Sequence, residues 1–282
     1  MNLLDIEDLW VRFPTRQGVF DAVRGVSFSL GRERLGIVGE SGSGKSMTGR
    51  AILRLIRKPG IVEANHINLE GRDLLKLSER EMREVRGKQI SMVMQDPKFS
   101  LNPVVTVGEQ LIEAYLQHNS GSKARARKMA IEMLENVSIR DSERVMRTYP
   151  HEVSGGMGQR IMIAMMLIPN PKILIADEPT SALDVSVQRQ VLNIMDGLVK
   201  ERGMGLIFIS HDLNLVSEFC DRVLIMYAGR IVEVCEADKL HQAQHPYTQG
   251  LLNSLPRLDE KCNHLSVLTR DPSWSEAPSV RG

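Results

Sequence analysis

Cysteine is scarce: Cys220, Cys235 and Cys262 are the only three in 282 residues. An odd number at such wide spacing supports neither a disulfide framework nor a CxxC metal site, and fits a reducing cytosol. A surplus of either charge is also missing, since 36 Lys+Arg face 35 Asp+Glu for a formal net charge of +1. No overall field recommends nucleic acid or an anionic membrane surface, and no nucleic-acid partner is expected. Long apolar runs are absent too. The longest, Ile161 to Ile168, falls far short of the roughly 20 residues with which a helix crosses a bilayer. The opening MNLLDIEDLW carries acids where a secretory leader carries Lys or Arg, so the chain is not expected to be exported. Neither internal repeats nor low-complexity tracts occur. What is present is 42% hydrophobic and 25% charged residues, the composition of a globular protein with a sizeable core. The length suggests one main domain and an appended tail.

The order of patterns along the chain predicts an α/β fold. LLDIEDLWVRF, PTRQG and VFDAVRGVSFSL alternate and break as short antiparallel strands do. From Leu35 a buried strand, LGIV, runs through a glycine-rich turn into an amphipathic helix expected over Lys45 to Arg57. A strand is expected at Ile90 to Met94, then helices around Glu109 to His118 and Ser122 to Asn136, making about 96 to 153 a mainly helical insertion. Apolar strands at Ile173 to Ala176 and Leu206 to Ile209 flank a helix marked by Val191, Leu192, Ile194, Met195, Leu198 and Val199, which implies a mainly parallel sheet. RVLIMYAGRIVEV reads as a closing hairpin. Beyond Lys239 the chain is polar and irregular, and DPSWSEAPSVRG reads as partly disordered.

Two motifs carry chemistry on physical grounds. Gly39-Glu40-Ser41-Gly42-Ser43-Gly44-Lys45-Ser46 fits GxxxxGK[ST] without a mismatch, in the strand-to-helix context that motif requires. Its glycines let successive N–H groups turn inward onto phosphate oxygens, and the helix N-terminus, with Met47 in its first turn, adds partial positive charge. Lys45 then reaches the β- and γ-phosphates, and the Ser46 hydroxyl coordinates Mg²⁺. Downstream, Asp177 and Glu178 follow the apolar run ILIA, where a sheet edge opens toward the nucleotide. Asp177 is suited to hold Mg²⁺, and Glu178 to orient and polarise the attacking water; the alternative is that the pair caps the element after Pro179. Met162, Met165 and Met166 read as core filler on a buried helix, and KARARK near Lys123 as a solvated helix face.

The stretch Val153-Ser154-Gly155-Gly156-Met157-Gly158-Gln159-Arg160 resembles the ABC (ATP-binding cassette) signature LSGGQ. Together with DEPTSALD and His211, this resemblance covers about Leu3 to Leu252. It implies a P-loop ATPase core with a mainly parallel sheet, an N-terminal antiparallel β layer and a helical subdomain carrying the signature, with the cassette over 1–252 and a short tail over 253–282. Two cassettes would bind head to tail, Ser154, Gly155 and Gly156 of one closing over the nucleotide of the other. A helix that begins at Ser-Gly-Gly suits an anion on physical grounds, although the same residues make an ordinary N-cap. Gly158 departs from the large polar residue common in related importers, at a cost of ~1 kcal/mol in helix propensity. The resemblance further places Phe13 against adenine, with Phe20 and Trp10 as alternatives. It gives Gln95 to Mg²⁺ and the γ-phosphate, His211 to γ-phosphate sensing, and Asp184 to the dimer seam, where it could otherwise simply cap a helix.

GVSFSL, LGIVGESGSGKS, QDPKFSLNPVVTVGEQ and His245-Pro246-Tyr247-Thr248 resemble the oligopeptide, dipeptide and nickel importer branch. That branch implies ATP hydrolysis driving uptake of peptides or similar small solutes. Its members work peripherally at the cytoplasmic face of the inner membrane, with a second cassette, two transmembrane permeases and an extracytoplasmic solute-binding protein. The alternatives are nickel, glutathione or opine-type uptake, or a non-transport ATPase of DNA repair or translation. An iron-sulfur cluster occurs in the C-terminal region of some members; with Cys262 the sole cysteine there, none is expected.

Overall fold

The structure is a computed structural model that describes residues 2–95, 100–181, 183–254 and 271–282. In chain order its strands are β1 Leu4–Thr15, β2 Gly18–Leu30, β3 Arg34–Val38, β4 Ile61–Glu63, β5 His66–Leu69, β6 Arg72–Asp73, β7 Ile90–Val93, β8 Ile173–Asp177, β9 Gly205–Ser210, β10 Arg222–Tyr227 and β11 Arg230–Glu236. The helices are α1 Lys45–Ile52, α2 Glu79–Val85, α3 Val107–His118, α4 Lys123–Asn136, α5 Ser142–Val145, α6 Gly155–Leu167, α7 Val185–Arg202, α8 Leu213–Phe219 and α9 Pro246–Asn253. The chain divides into two compact units, Met1–Lys76 with Ile207–Gly282, and Leu77–Leu206.

In the first unit β1 and β2 pair antiparallel from Leu4↔Leu30 to Thr15↔Gly18. The buried residues of β1 run Leu4, Ile6, then Leu9, Val11, a change of phase that would turn half of them to the wrong face. A register shift between Ile6 and Leu9 absorbs the extra residue, with Asp8 at φ 54° and its N–H on the Ser27 hydroxyl at 2.9 Å. The β layer is therefore two long strands rather than the short ones expected, with β5, β6 and β4 completing it. In the same unit β3 lies parallel to β10, which forms the expected hairpin with β11 around Gly229 at φ 83°.

Helix α1 ends at Ile52, five residues before the expected Arg57. Arg54 turns left-handed at φ 53°, so Leu53 is buried while Leu55 is 43% exposed, and the apolar spacing that suggested more helix belongs to a turn. Helix α9 was not foreseen in the polar stretch beyond Lys239. Pro246 sits at its first position, where the missing N–H costs nothing, and His245 caps it by accepting from Tyr247 N–H at 3.2 Å. Residues of the final stretch are paired: Gly282 N–H donates to Ser27 O at 2.9 Å and Val280 N–H to Ile231 O at 2.8 Å.

The second unit holds β7 and β8 as a parallel pair, Ile90↔Ile173 to Val93↔Ala176, every residue of it buried. Helices α3, α4 and α6 pack on one another and bring Leu111, Ala130, Leu134 and Met162 into the core. Side chains mark their starts. Thr106 and Glu109 form a capping box at α3, Ser122 caps α4 and Ser154 caps α6. The insertion expected over 96–153 thus carries α3, α4 and α5, residues 96–99 lying outside the described ones. The basic residues of α4, Lys123, Arg125, Arg127 and Lys128, are exposed as expected, and Arg127 pairs with Glu143.

Candidate nucleotide site

The phosphate loop belongs to the first unit, where it connects buried β3 to α1. Its glycines do different work. A Cβ on Gly39 would lie 2.1 Å from Met226 O, and one on Gly44 2.5 Å from Ala22 O, so both are held by close backbone approach. Gly42, at φ 83°, has nothing within 4 Å of such a Cβ and is exposed, together with Ser41, on the open side of the loop. Substituting Ala at Gly42 should cost only the backbone strain of ~1–2 kcal/mol, which lowers Tm by roughly 2–4 °C per kcal/mol. Gly39→Ala adds a clash and should lower the nucleotide-free Tm much further. Equal losses in the two variants, read by calorimetry, would contradict this division.

Lys45 is 5% exposed, and its ammonium donates to Gly39 O and Glu40 O, each at 2.8 Å. The loop holds its own shape through Ser43 N–H on Glu40 O at 3.2 Å and Gly229 N–H on Ser43 O at 3.0 Å. Helix α1 opens at Gly44 in a left-handed conformation (φ 101°) that supplies no side-chain cap, in contrast to α3, α4, α6 and α7. Ser46 and Met47 lie in its first turn, and a helix start without a side-chain cap is suited to an anion. His211 is also in this unit, exposed in the turn between β9 and α8, with Asp212 capping α8 through Leu215 N–H at 3.1 Å.

In the second unit Asp177 ends β8 and is 3% exposed, and Glu178 follows with φ 47°, an unfavourable conformation for a residue with a Cβ. That reversal takes the Glu178 side chain off the line of the strand. Its Oε2 accepts from Gln95 Nε2 at 3.2 Å, while its backbone O accepts from Ser181 N–H at 3.4 Å and Ser181 Oγ at 3.3 Å. The structure therefore joins Gln95 to Glu178, the Glu178 backbone oxygen closes the turn, and the helix that follows, α7, takes its side-chain cap from Asp184. Nothing in the sequence signalled the left-handed backbone there.

Ser154 and Gly155 are exposed and Gly156 packs against Val187, where an added Cβ would lie 2.8 Å from Cγ1. Ser154 Oγ accepts from Met157 N–H at 3.4 Å. Gly158 is buried and donates its N–H to Ser154 O at 2.8 Å, so the departure from the usual residue leaves the first turn of α6 intact. Asp184 caps α7, its Oδ1 accepting from Ser186 N–H and Val187 N–H at 3.0 Å each. The Ser186 hydroxyl, then the Val187 amide, hold its carboxyl below the usual range. Phe13 stands opposite Phe20 near the turn that joins β1 to β2; Phe20 is 58% exposed, and the Phe13 ring closes on Gly60. Trp10 is engaged elsewhere, with Nε1 on Asp8 at 2.9 Å and the Arg12 guanidinium 4.5 Å over its ring.

One reading is corrected. Met162 is buried as expected, but Met165 and Met166 line a groove of about 340 Å³ in the second unit with Gln110, Glu113, Gln117 and His118. Gln110 shapes one wall, donating to Asn102 O at 3.0 Å and Val105 O at 2.9 Å and accepting from Asn102 N–H at 2.8 Å. Helical periodicity placed all three methionines on one helix and could not tell a core face from a groove. Burial pushes the thiols of Cys220 and Cys235 up, the latter to about 11, so both stay protonated at neutral pH; Cys262 lies outside the described residues.

A phosphate loop whose lysine is cradled by loop carbonyls, with an Asp-Glu pair ending a buried parallel strand, defines a P-loop nucleotide-binding protein of the α/β class. The sequence pattern of the ABC transporter family matches residues 23–181, and the chain belongs to that family. It is 51% identical over 261 residues to the oligopeptide transport ATP-binding protein OppD of Bacillus subtilis (strain 168), covering 92% of this chain and 73% of that protein. It is 48% identical over 274 residues to the dipeptide transport ATP-binding protein DppD of the same organism, covering 96% and 82%. Among solved structures it is similar to the dimeric ATP-binding cassette MJ0796 in a post-hydrolysis state bound to ADP and Pi, with a TM-score of 0.74 and 25% identity over 83% of this chain and 98% of that one.

Proposed function

We propose that the chain is the ATP-hydrolysing subunit of an importer that takes up oligopeptides or similar small solutes. The observation that carries ATP binding is the phosphate loop, with Lys45 preset by two carbonyls beside the uncapped start of α1. Peptide as cargo is supported by the oligopeptide and dipeptide relatives. Ser46, Asp177 and Gln95 offer hydroxyl, carboxylate and amide oxygens, the hard donors that suit Mg²⁺. Bound Mg²⁺ neutralises phosphate charge. The chain's own part is to hold the phosphates with loop amides and Lys45, polarise water through Glu178, and respond to the γ-phosphate through His211. Ser154, Gly155 and Gly156 close over the nucleotide of a second cassette, identical or related, with Asp184 along the seam and Phe13 on adenine. No iron-sulfur cluster is proposed; iron and acid-labile sulfide assays on anaerobically purified protein test this.

Among the described residues no helix is long and apolar enough to cross a membrane, so the translocation path is assigned to two permease subunits, fed by an extracytoplasmic solute-binding protein, with this chain peripheral at the cytoplasmic face. The groove lined by Met165 and Met166 is the surface proposed to receive a permease segment, a use that suits adaptable thioether side chains. Met166→Glu should abolish uptake of a radiolabelled tripeptide in cells lacking the chromosomal copy, while ATP affinity of the purified chain stays at the parent value. Uptake at the parent rate in Met166→Glu would remove the groove from this role. Failure of the parent chain itself to restore uptake in that deletion strain would remove peptide import.

A further inference from the structure

His245-Pro246-Tyr247-Thr248 resembled a branch of importers without showing what these residues do. Tyr247 is fully buried on α9, and its hydroxyl accepts the Glu40 N–H of the phosphate loop at 3.1 Å. That N–H and the Gly39 carbonyl belong to one planar trans peptide, so they point in opposite directions and turn together. Gly39 O is one of the two carbonyls that hold the Lys45 ammonium, at 2.8 Å. Fixing the N–H therefore fixes the direction of the carbonyl that presets the lysine.

We infer that Tyr247 is a positioning residue of the phosphate loop, acting on Lys45 through the Gly39–Glu40 peptide. Its own position is secured on several sides. Glu233 of β11 accepts from Gln244 N–H at 2.5 Å and His245 N–H at 3.2 Å, anchoring the start of α9. The Tyr247 ring lies 4.6 Å from that of Tyr227, and both pack against Trp274 at centroid distances of 6.2 and 6.0 Å. Trp274 thereby joins the support of the loop, and the chain beyond it is tied down where Ile231 N–H donates to Ser279 Oγ at 3.1 Å and Gly282 pairs with Ser27.

This inference rests on the phosphate-loop reading, and the test separates the two. Tyr247→Phe keeps the ring and its packing and removes only the hydroxyl. Titration of the purified chain with MANT-ATP should show affinity weakened about 3- to 10-fold, the worth of one hydrogen bond. Because this hydrogen bond is already made without nucleotide, the nucleotide-free Tm should also fall, by roughly 1–6 °C. Steady-state turnover should show a raised KM at nearly unchanged kcat, because no charge develops on this peptide during the reaction. Tyr227→Phe, which alters the same cluster but not the loop, should bind as the parent does. Parent affinity in Tyr247→Phe, a fall in Tm well beyond about 6 °C, which would trace the affinity loss to a loosened fold, or an equal affinity loss in Tyr227→Phe would each overturn the inference. Lys45→Ala in parallel identifies the other failure: if it too binds as the parent does, the phosphate-loop reading falls.

Discussion

Glu178→Gln is expected to lower the rate of phosphate release by roughly 10²–10⁴-fold while leaving ATP affinity at the parent value. Such a fall corresponds to about 2.7–5.4 kcal/mol of barrier. The structure makes this substitution unusually clean. The backbone oxygen of Glu178 closes the turn after β8, accepting from Ser181 N–H and Oγ, and is untouched by a side-chain change. Gln also offers Gln95 Nε2 an acceptor where Glu178 Oε2 stood, and tolerates φ 47° no worse than Glu. What the variant loses is charge and basicity, the two properties a water-polarising group needs. ATP-bound protein should then accumulate as a closed dimer, read by size-exclusion chromatography with light scattering. Full turnover in Glu178→Gln would take Glu178 out of catalysis.

The parts of the site that were legible in the sequence are those where chemistry forces residue type and spacing together. GxxxxGKS admits few substitutes, because Gly39 and Gly44 must let backbone pass within 2.1 and 2.5 Å of where a Cβ would sit, and Lys45 must reach two carbonyls. The α/β order was legible for the same kind of reason, since β7 and β8 are buried on both faces and read as continuous apolar runs. What was not legible depends on contacts between residues far apart in sequence. Glu40 and Tyr247 are 207 positions apart, and no local pattern announces that one supports the other. The left-handed backbone at Glu178 is carried by a residue that ordinarily avoids φ > 0, so propensity pointed the other way, and at Asp8 a tolerance for that region does not by itself announce a bulge. Asp184 shows the opposite case: both roles were visible, and the geometry gives the capping role a definite form without touching the other.

Lys45→Ala tests the reading on which the rest stands, and two effects compete in it. The first is stability. Lys45 is almost wholly buried, and its removal leaves Gly39 O and Glu40 O without a charged donor, though Glu40 O keeps Ser43 N–H. Against this, truncation also relieves the desolvation of a buried ammonium, so the two contributions oppose one another and the net change in Tm should be small. The second effect is on the ligand, where nothing offsets the loss. A hydrogen bond to a charged group is worth roughly 1.5–3 kcal/mol, which weakens ATP affinity by about 10- to 150-fold. Affinity therefore falls far more than stability, and the gap should narrow for AMP, which lacks the phosphates that the lysine reaches. Calorimetric titration of the nucleotide-free variant with ATP and with AMP measures both arms. An ATP affinity equal to the parent's, in a variant that melts where the parent melts, would mean that neither the loop's fold nor phosphate binding depends on the cradled lysine, and the phosphate-loop reading would fall.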